Sequence, residues 1–244
     1  MKENTEFARK IGRLSKSTAY LDFCEEVCGY RIALFNMMDR AQLDYIFRSI
    51  PILPSDTVLD VGCGDGGILR ALSEKTGCAG VGVDLLKNAD GEKLCFIQDD
   101  IDEITRYSLN PAVTLCIDSL YFSADPEKLV RRLCGLTGKG VYLFYSQYLF
   151  EGCETEKYKL QSDATLLGEI LRRNAIPYTV LDYSENERAL YSRSISVLEK
   201  RKAAFFAEGN GDLNEEKFKE QETGLRLYDE GCASRYLYIL PPLS

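Results

Sequence analysis

Apolar and polar positions along this chain follow two different periods. In the middle, short runs rich in apolar and β-branched residues, at 57–61, 79–83, 94–98, 113–117, 141–146 and 178–181, read as strands, with a seventh at 235–240. Between them, apolar residues recur every three to four positions and predict helices at 67–75, closed by Gly77, at 126–133, closed by Gly135, and at 163–174. This alternation predicts βαβ units on a parallel sheet.

The flanks differ from the middle. Some fifty residues before the first strand read as helices: Ser17 can cap one carrying Tyr20, Leu21, Phe23, Cys24 and Val27, and Asp39 one carrying Leu43, Ile46, Phe47 and Ile50. After the sixth strand, 185–208 and 213–230 form two long charged amphipathic patterns separated by Gly209-Asn210-Gly211. They predict a helical hairpin inserted before the last strand, serving as a cover over a pocket or as a homodimer contact. The division expected is a helical lid at 1–52, a core at 53–183, the hairpin at 184–232, and a final strand at 233–244 that completes the core sheet.

Composition narrows the class. The chain has 244 residues, 45% of them hydrophobic and 28% charged, which suits one large α/β core with attachments. No apolar stretch approaches the roughly 20 residues that span a bilayer, and the start lacks a secretory apolar region, so a cytoplasmic protein without membrane partners is expected. The net charge of −8 argues against a nucleic-acid backbone as partner. Nine cysteines with no C-x-x-C pair point to reduced, buried thiols rather than a disulfide framework. There is no histidine, which removes Ser-His, Cys-His and zinc-histidine chemistry, and no metal is expected.

The stretch VLDVGCGDGG, residues 58–67, satisfies G-x-G-x-x-G at Gly62, Gly64 and Gly67. A strand entering such a turn before a helix could hold a pyrophosphate on its backbone N–H groups. The side-chain charge has the wrong sign for that. Asp60 and Asp65 flank the turn and no Lys or Arg occurs from Thr57 to Leu69. Two unit charges about 4 Å apart interact by about 4 kcal/mol at an effective dielectric of about 20, so these acids suit a cation.

VLDVGCGDGG closely resembles motif I of the class I S-adenosylmethionine-dependent methyltransferases, and the resemblance runs from about residue 50 to 183 plus the final strand. It implies a Rossmann-like methyltransferase fold of the α/β class, with a seven-stranded, mostly parallel sheet whose last strand is antiparallel and helices on both faces. It implies S-adenosyl-L-methionine as cofactor and S-adenosyl-L-homocysteine as product. By the resemblance, Asp60, Gly62, Cys63 and Gly64 form the cofactor turn. Asp84 at the second strand's end takes the ribose hydroxyls, with Leu85 against the adenine, while Asp100 accepts from the adenine amine and Ile101 packs on the ring. TLCIDSLYF, 114–122, resembles motif IV, placing Asp118 beside the methionine portion and the methyl group. Asp/Asn-Pro-Pro-Tyr is absent there, which weakens a base-methylating reading. The family's acidic residue before the fourth strand is also replaced, by Asn110-Pro111-Ala112.

The expected reaction is in-line methyl transfer to N or O of a small-molecule acceptor. A hydroxyl or ammonium acceptor must lose a proton, and without histidine Asp118 and Tyr121 are the candidate catalytic residues. Tyr20 and Tyr145 are the candidate substrate contacts, with Tyr30, Phe35, Met37, Met38, Gln147 and Tyr148 as further lining positions. A non-catalytic cofactor-binding protein and a nicotinamide-dependent oxidoreductase are the alternatives.

Overall fold

The structure, a computed structural model, describes residues 2–150 and 155–242. Seven strands form one sheet: β1 (Thr57–Val61), β2 (Ala79–Asp84), β3 (Leu94–Gln98), β4 (Val113–Ile117), β5 (Gly140–Tyr148), β6 (Thr179–Asp182) and β7 (Ala233–Leu240). Their order is β3-β2-β1-β4-β5-β7-β6, with β7 antiparallel to both neighbours and the other pairings parallel. The strand order reverses between β1 and β4, where open α/β sheets hold their ligands.

The central strands are mostly apolar because both faces of the sheet are covered, with Asp60 in β1 and Thr114 in β4 as buried polar exceptions. On one face, Val58, Leu115, Tyr142, Phe144 and Leu237 pack with residues of α2 (Thr18–Cys28), α3 (Arg40–Asp44), α4 (Gly67–Thr76) and α7 (Ser184–Ala207). On the other, Leu59, Val61, Leu143, Tyr145 and Tyr238 pack with α5 (Pro126–Leu136) and α6 (Leu166–Arg173). Alternate residues of β5 thus enter different cores, as the twofold period of a strand requires.

Helix ends follow the side chains expected to cap them, with two exceptions. Ser17 accepts from the Tyr20 N–H at 3.1 Å, Asp39 from Gln42 at 2.9 Å, and Gly77 closes α4 at φ 76°. Gly135, expected to stop α5, lies inside it; the helix ends at Leu136, where the Thr137 hydroxyl donates to the Leu133 carbonyl at 2.7 Å. The helix expected from 163 begins instead at Leu166, because Thr165 accepts from the Gly168 N–H at 3.0 Å.

A further helix, α1 (Lys2–Leu14), precedes α2, and α8 (Gly211–Asp229) completes an antiparallel pair with α7. The pair is tied to the N-terminal helices at its turn. Arg13 donates to both carboxylate oxygens of Asp212, at 2.8 and 2.7 Å, and Glu208 accepts from Ser17 and from the Ala19 N–H. Seven cysteines are free; Cys232 carries a disulfide, which corrects the expectation of a thiol there, and Cys153 lies outside the described residues. Among the described residues no helix is long and apolar enough to cross a membrane, and no group of three or more Cys, Asp or Glu is placed to hold a metal.

Candidate functional site

The turn after β1 is built on three left-handed glycines, Gly62, Gly64 and Gly66, at φ 75°, 57° and 79°. Its N–H groups already have acceptors inside the protein. Gly62 and Cys63 donate to the Val83 carbonyl at 2.8 and 3.3 Å, Gly64 to Asp84 at 2.8 Å, Gly66 to the Cys63 carbonyl at 2.9 Å, and Gly67 to Asp65 at 3.0 Å. A pyrophosphate would find this cradle closed by internal hydrogen bonds as well as acidic. The turn is thus set for side-chain rather than backbone recognition.

Three carboxyls surround it. Asp60 is 2% exposed, its Oδ1 is buried with no donor, and burial together with the nearby Asp84 pushes its carboxyl up to about 7. Burial also raises Asp84 and Asp65 above the usual range, against the backbone N–H groups and, for Asp65, the Ser15 hydroxyl that donates to it at 2.8 Å. An unsatisfied buried acceptor among partly neutralised acids is a site short of positive charge and donors. Residues that fit a cationic nucleoside are therefore present.

Beyond β4, Asp118 adopts φ 49° and turns its carboxylate onto Arg235 of β7. The guanidinium donates to both oxygens, at 2.8 and 3.0 Å, and the Met37 N–H adds a third bond at 3.1 Å. Arg235 is fully buried and also reaches Gln42 at 2.6 Å, Ser146 at 2.8 Å and Glu187 at 3.3 Å. Glu187, fully buried on α7, accepts in addition from Ser146, Tyr148 and Tyr228, and Tyr148 pairs with Tyr191 at 2.9 Å. Burial pushes the Glu187 carboxyl up while Arg235 and these hydroxyls pull it down.

This network floors a cavity of about 470 Å³. Phe35, Asn36 and Met37, Asp118, Tyr148 and Phe150, and Tyr191 line it, and α8 closes it with Lys217, Lys219, Glu220, Thr223, Gly224 and Leu227. The cavity adjoins the glycine turn. Phe35 lies 3.8 Å from where a Gly64 side chain would begin, and a Gly62 side chain would overlap Ser119, the residue after Asp118.

A family described as a methyltransferase domain matches residues 38–174, more than half the chain. The chain belongs to that family. This methyltransferase chain has the class I fold of S-adenosylmethionine-dependent enzymes, with β7 antiparallel in an otherwise parallel sheet. Its sequence is 31% identical over 134 residues to the ubiquinone biosynthesis O-methyltransferase of Vibrio vulnificus, covering 48% of this chain and 57% of the relative. That of Coxiella burnetii is 29% identical over 121 residues, covering 46% and 51%. The chain spans about half the length of these curated relatives. Phosphoethanolamine N-methyltransferase 2 of Haemonchus contortus, solved with phosphomonomethylethanolamine and S-adenosylhomocysteine, superposes with a TM-score of 0.72 at 16% identity, covering 96% of this chain and 60% of that one. An S-adenosylmethionine-dependent methyltransferase of Thiobacillus denitrificans, with S-adenosylhomocysteine, gives 0.60 at 14% identity, covering 86% and 94%.

Within the methyltransferase fold, the positions expected from sequence fall into two groups. Asp60, Gly62, Cys63, Gly64, Asp84 and Leu85 come together around the turn, Leu85 being half exposed and the Cys63 thiol turned toward Gly82. Asp100 lies at the next strand end, exposed, and caps the short 3₁₀ segment Ile101–Arg106 by accepting from Asp102 at 3.0 Å, while Ile101 is buried in the second core.

The substrate and base assignments need correction. Tyr20 is fully buried, stacked on Phe35 with centroids 5.8 Å apart, and its hydroxyl donates to the Leu34 carbonyl, so it is core rather than a substrate contact. Tyr145 points into the other core, 4% exposed. Tyr121 lines the cavity and is 44% exposed, but its hydroxyl end is buried, accepting from the Ser146 N–H at 2.6 Å and donating to its carbonyl at 3.1 Å. That burial and the nearby Asp118 hold the hydroxyl well above its ordinary value, which suits a strut and not a base. Asp118 has both oxygens engaged by Arg235, which anchors it in place and leaves neither oxygen free of a donor. Of the further lining positions, Phe35, Met37 and Tyr148 reach the cavity, whereas Tyr30 is bonded to Asp44 at 2.6 Å. Sequence reasoning missed Arg235, Glu187, Asn36, Tyr191 and Tyr228. The one local signal was an arginine opening an otherwise apolar strand.

Proposed function

We propose that the protein transfers a methyl group from S-adenosylmethionine to an N or O atom of a small molecule held in the 470 Å³ cavity, in the cytoplasm and without a metal. The observation that carries this reading is adjacency: Phe35, which lines the cavity, lies against Gly64, and Asp118, also in its lining, is followed by Ser119, which lies against Gly62. S-adenosylmethionine supplies, when bound, an electrophilic methyl group on a positively charged sulfur. Asp60, Gly62, Cys63, Gly64, Asp84, Leu85, Asp100, Ile101 and Asp118 are the residues that would hold it. Asp84 would take the ribose, and Asp60 is the acid short of a donor.

The chain's own contribution is placement. Methyl transfer needs the acceptor atom held about 3 to 3.5 Å from carbon and in line with the leaving sulfur, and a walled cavity at the switch point of the sheet provides that constraint. The hairpin α7–α8 acts as its cover and excludes water, pinned through Arg13 and Glu208 to the N-terminal helices that form the other side of the lid. Relatives named for an oxygen acceptor and for a nitrogen acceptor support both atom types.

Calorimetry with S-adenosylmethionine and S-adenosylhomocysteine tests the reading. Micromolar binding of both is expected, and NADH binding in preference to either would remove it.

A further inference from the structure

The cavity is polarised. On the sheet side, Asp118 and Glu187 share the single guanidinium of Arg235, two carboxyls to one base. On the α8 side, the cavity lining holds Lys217 and Lys219 and one acid, Glu220, an excess of one base among the lining residues of that helix. The Lys217–Glu220 contact is long, at 3.8 Å, although the lysine side chain is only 17% exposed. Neither wall completes its own neutralisation.

A second observation fixes what the sheet side lacks. Asn36 lines the cavity, and its Oδ1 is buried with no donor. A buried carbonyl oxygen without a partner is destabilising, so an N–H or O–H brought there is favoured. The aromatic faces beside it, Phe35, Tyr148 and Tyr191, favour a cation over an anion.

We infer that the methyl acceptor is a zwitterionic amine, its nitrogen lodged against Asn36 and Asp118 and its anionic group, a carboxylate or phosphate, toward Lys217 and Lys219. The inference rests on the methyltransferase reading and names its substrate class. The nitrogen end lies on the sheet side, next to the glycine turn, where the reacting atom belongs. It binds as the ammonium, gives its proton to solvent, and as the free amine takes the methyl group while the sulfur leaves with the bonding pair as S-adenosylhomocysteine. The anion end lies against α8, so the hairpin closes on the acceptor by charge as well as by shape. Phenols satisfy Asn36 but leave both charge imbalances standing, and simple carboxylates meet the negative floor.

The test is calorimetry on the full chain saturated with S-adenosylhomocysteine, using 2-aminoethyl phosphate and β-alanine against propylamine, propionate and catechol. The two zwitterions are expected to bind at least tenfold more tightly than the other three. Lys217→Met with Lys219→Met is expected to erase that margin while propylamine binding stays within twofold. Lys219→Met alone, at an exposed position, is expected to weaken the zwitterions at least threefold, and serves if the double variant does not fold. Tightest binding by catechol or propionate, equal binding across the set, or binding of none of the five by a chain that holds S-adenosylhomocysteine overturns the inference. Failure to bind S-adenosylhomocysteine is a separate result and removes the methyltransferase reading beneath it.

Discussion

Arg235, the third residue of β7, grips both carboxylate oxygens of Asp118, the residue that follows β4, with N–O distances of 2.8 and 3.0 Å. The pair joins the ends of two strands that are not neighbours in the sheet and sets the floor of the cavity. Its arginine is fully buried, so its value is conditional on the partners it neutralises.

Removing that arginine should therefore be severe. Arg235→Met would leave Asp118 and Glu187 with no countercharge, Glu187 being wholly out of solvent. Breaking a buried pair in this way costs about 3 to 5 kcal/mol. The expected result is a fall of that size in the unfolding free energy by urea titration. Asp118→Asn should cost less, because Arg235 keeps Glu187. Equal losses from the two variants would show that Glu187 does not share the guanidinium.

Asp84→Ala should weaken S-adenosylhomocysteine binding by about 1.5 to 3 kcal/mol, roughly ten- to hundredfold, the loss of hydrogen bonds to a charged acceptor. Asp84 also accepts from the Gly64 and Leu86 N–H groups at 2.8 and 2.9 Å, so the turn loosens with it. Calorimetry paired with thermal melting separates the two effects. A variant that melts as the parent does and binds as tightly would exclude Asp84 from the site.

The raised Asp60 carboxyl makes a pH prediction whose direction is fixed. Its value rises from 3.8 to about 7 on folding, so between those limits the folded chain holds a proton that the unfolded chain does not. Stability from this group is present at pH 4 and declines as pH rises toward 7. Asp60→Asn should flatten that decline in denaturant titrations. A cationic ligand binding beside Asp60 favours its ionised form, so binding near pH 6.5 should release protons. Repeating the calorimetry in buffers of different ionisation enthalpy reads the number released. Proton uptake instead would place the positive charge of the ligand elsewhere.

What was legible in the sequence was what lies close together along it. The turn could be read because Asp60, Gly62, Gly64 and Asp65 fall within six residues, and the strands because apolar runs alternate with helical spacing. Even the exceptions were local: Gly135 looked like a stop, but Thr137 supplied the hydroxyl that ends α5. The cavity floor was hidden for the opposite reason. Asp118 and Arg235 are 117 positions apart, and Glu187 stands 48 from Arg235, so no periodicity connects them. Tyr20, on α2, and Tyr145, in β5, misled because a tyrosine's place along the chain reads the same whether its ring faces a pocket or a core.

Gly62 offers the most discriminating test of the turn. At φ 75° any side chain is strained, at a cost of about 1 to 3 kcal/mol, and a Cβ there would also overlap Ser119. Ser119 is itself fixed, donating to the Val61 carbonyl at 2.5 Å, so it does not yield cheaply. Gly62→Ala should therefore lose stability from both causes, measured by denaturant titration, and Gly62→Val should lose more. Ser119→Gly placed on Gly62→Ala removes the overlap but not the backbone strain. The double variant should recover part of the loss, a coupling on the order of 1 kcal/mol for residues in contact. Strict additivity of the two single changes would show that the β1 turn does not press on the β4 turn as the structure has it. The cavity would then lose its attachment to the glycine cradle.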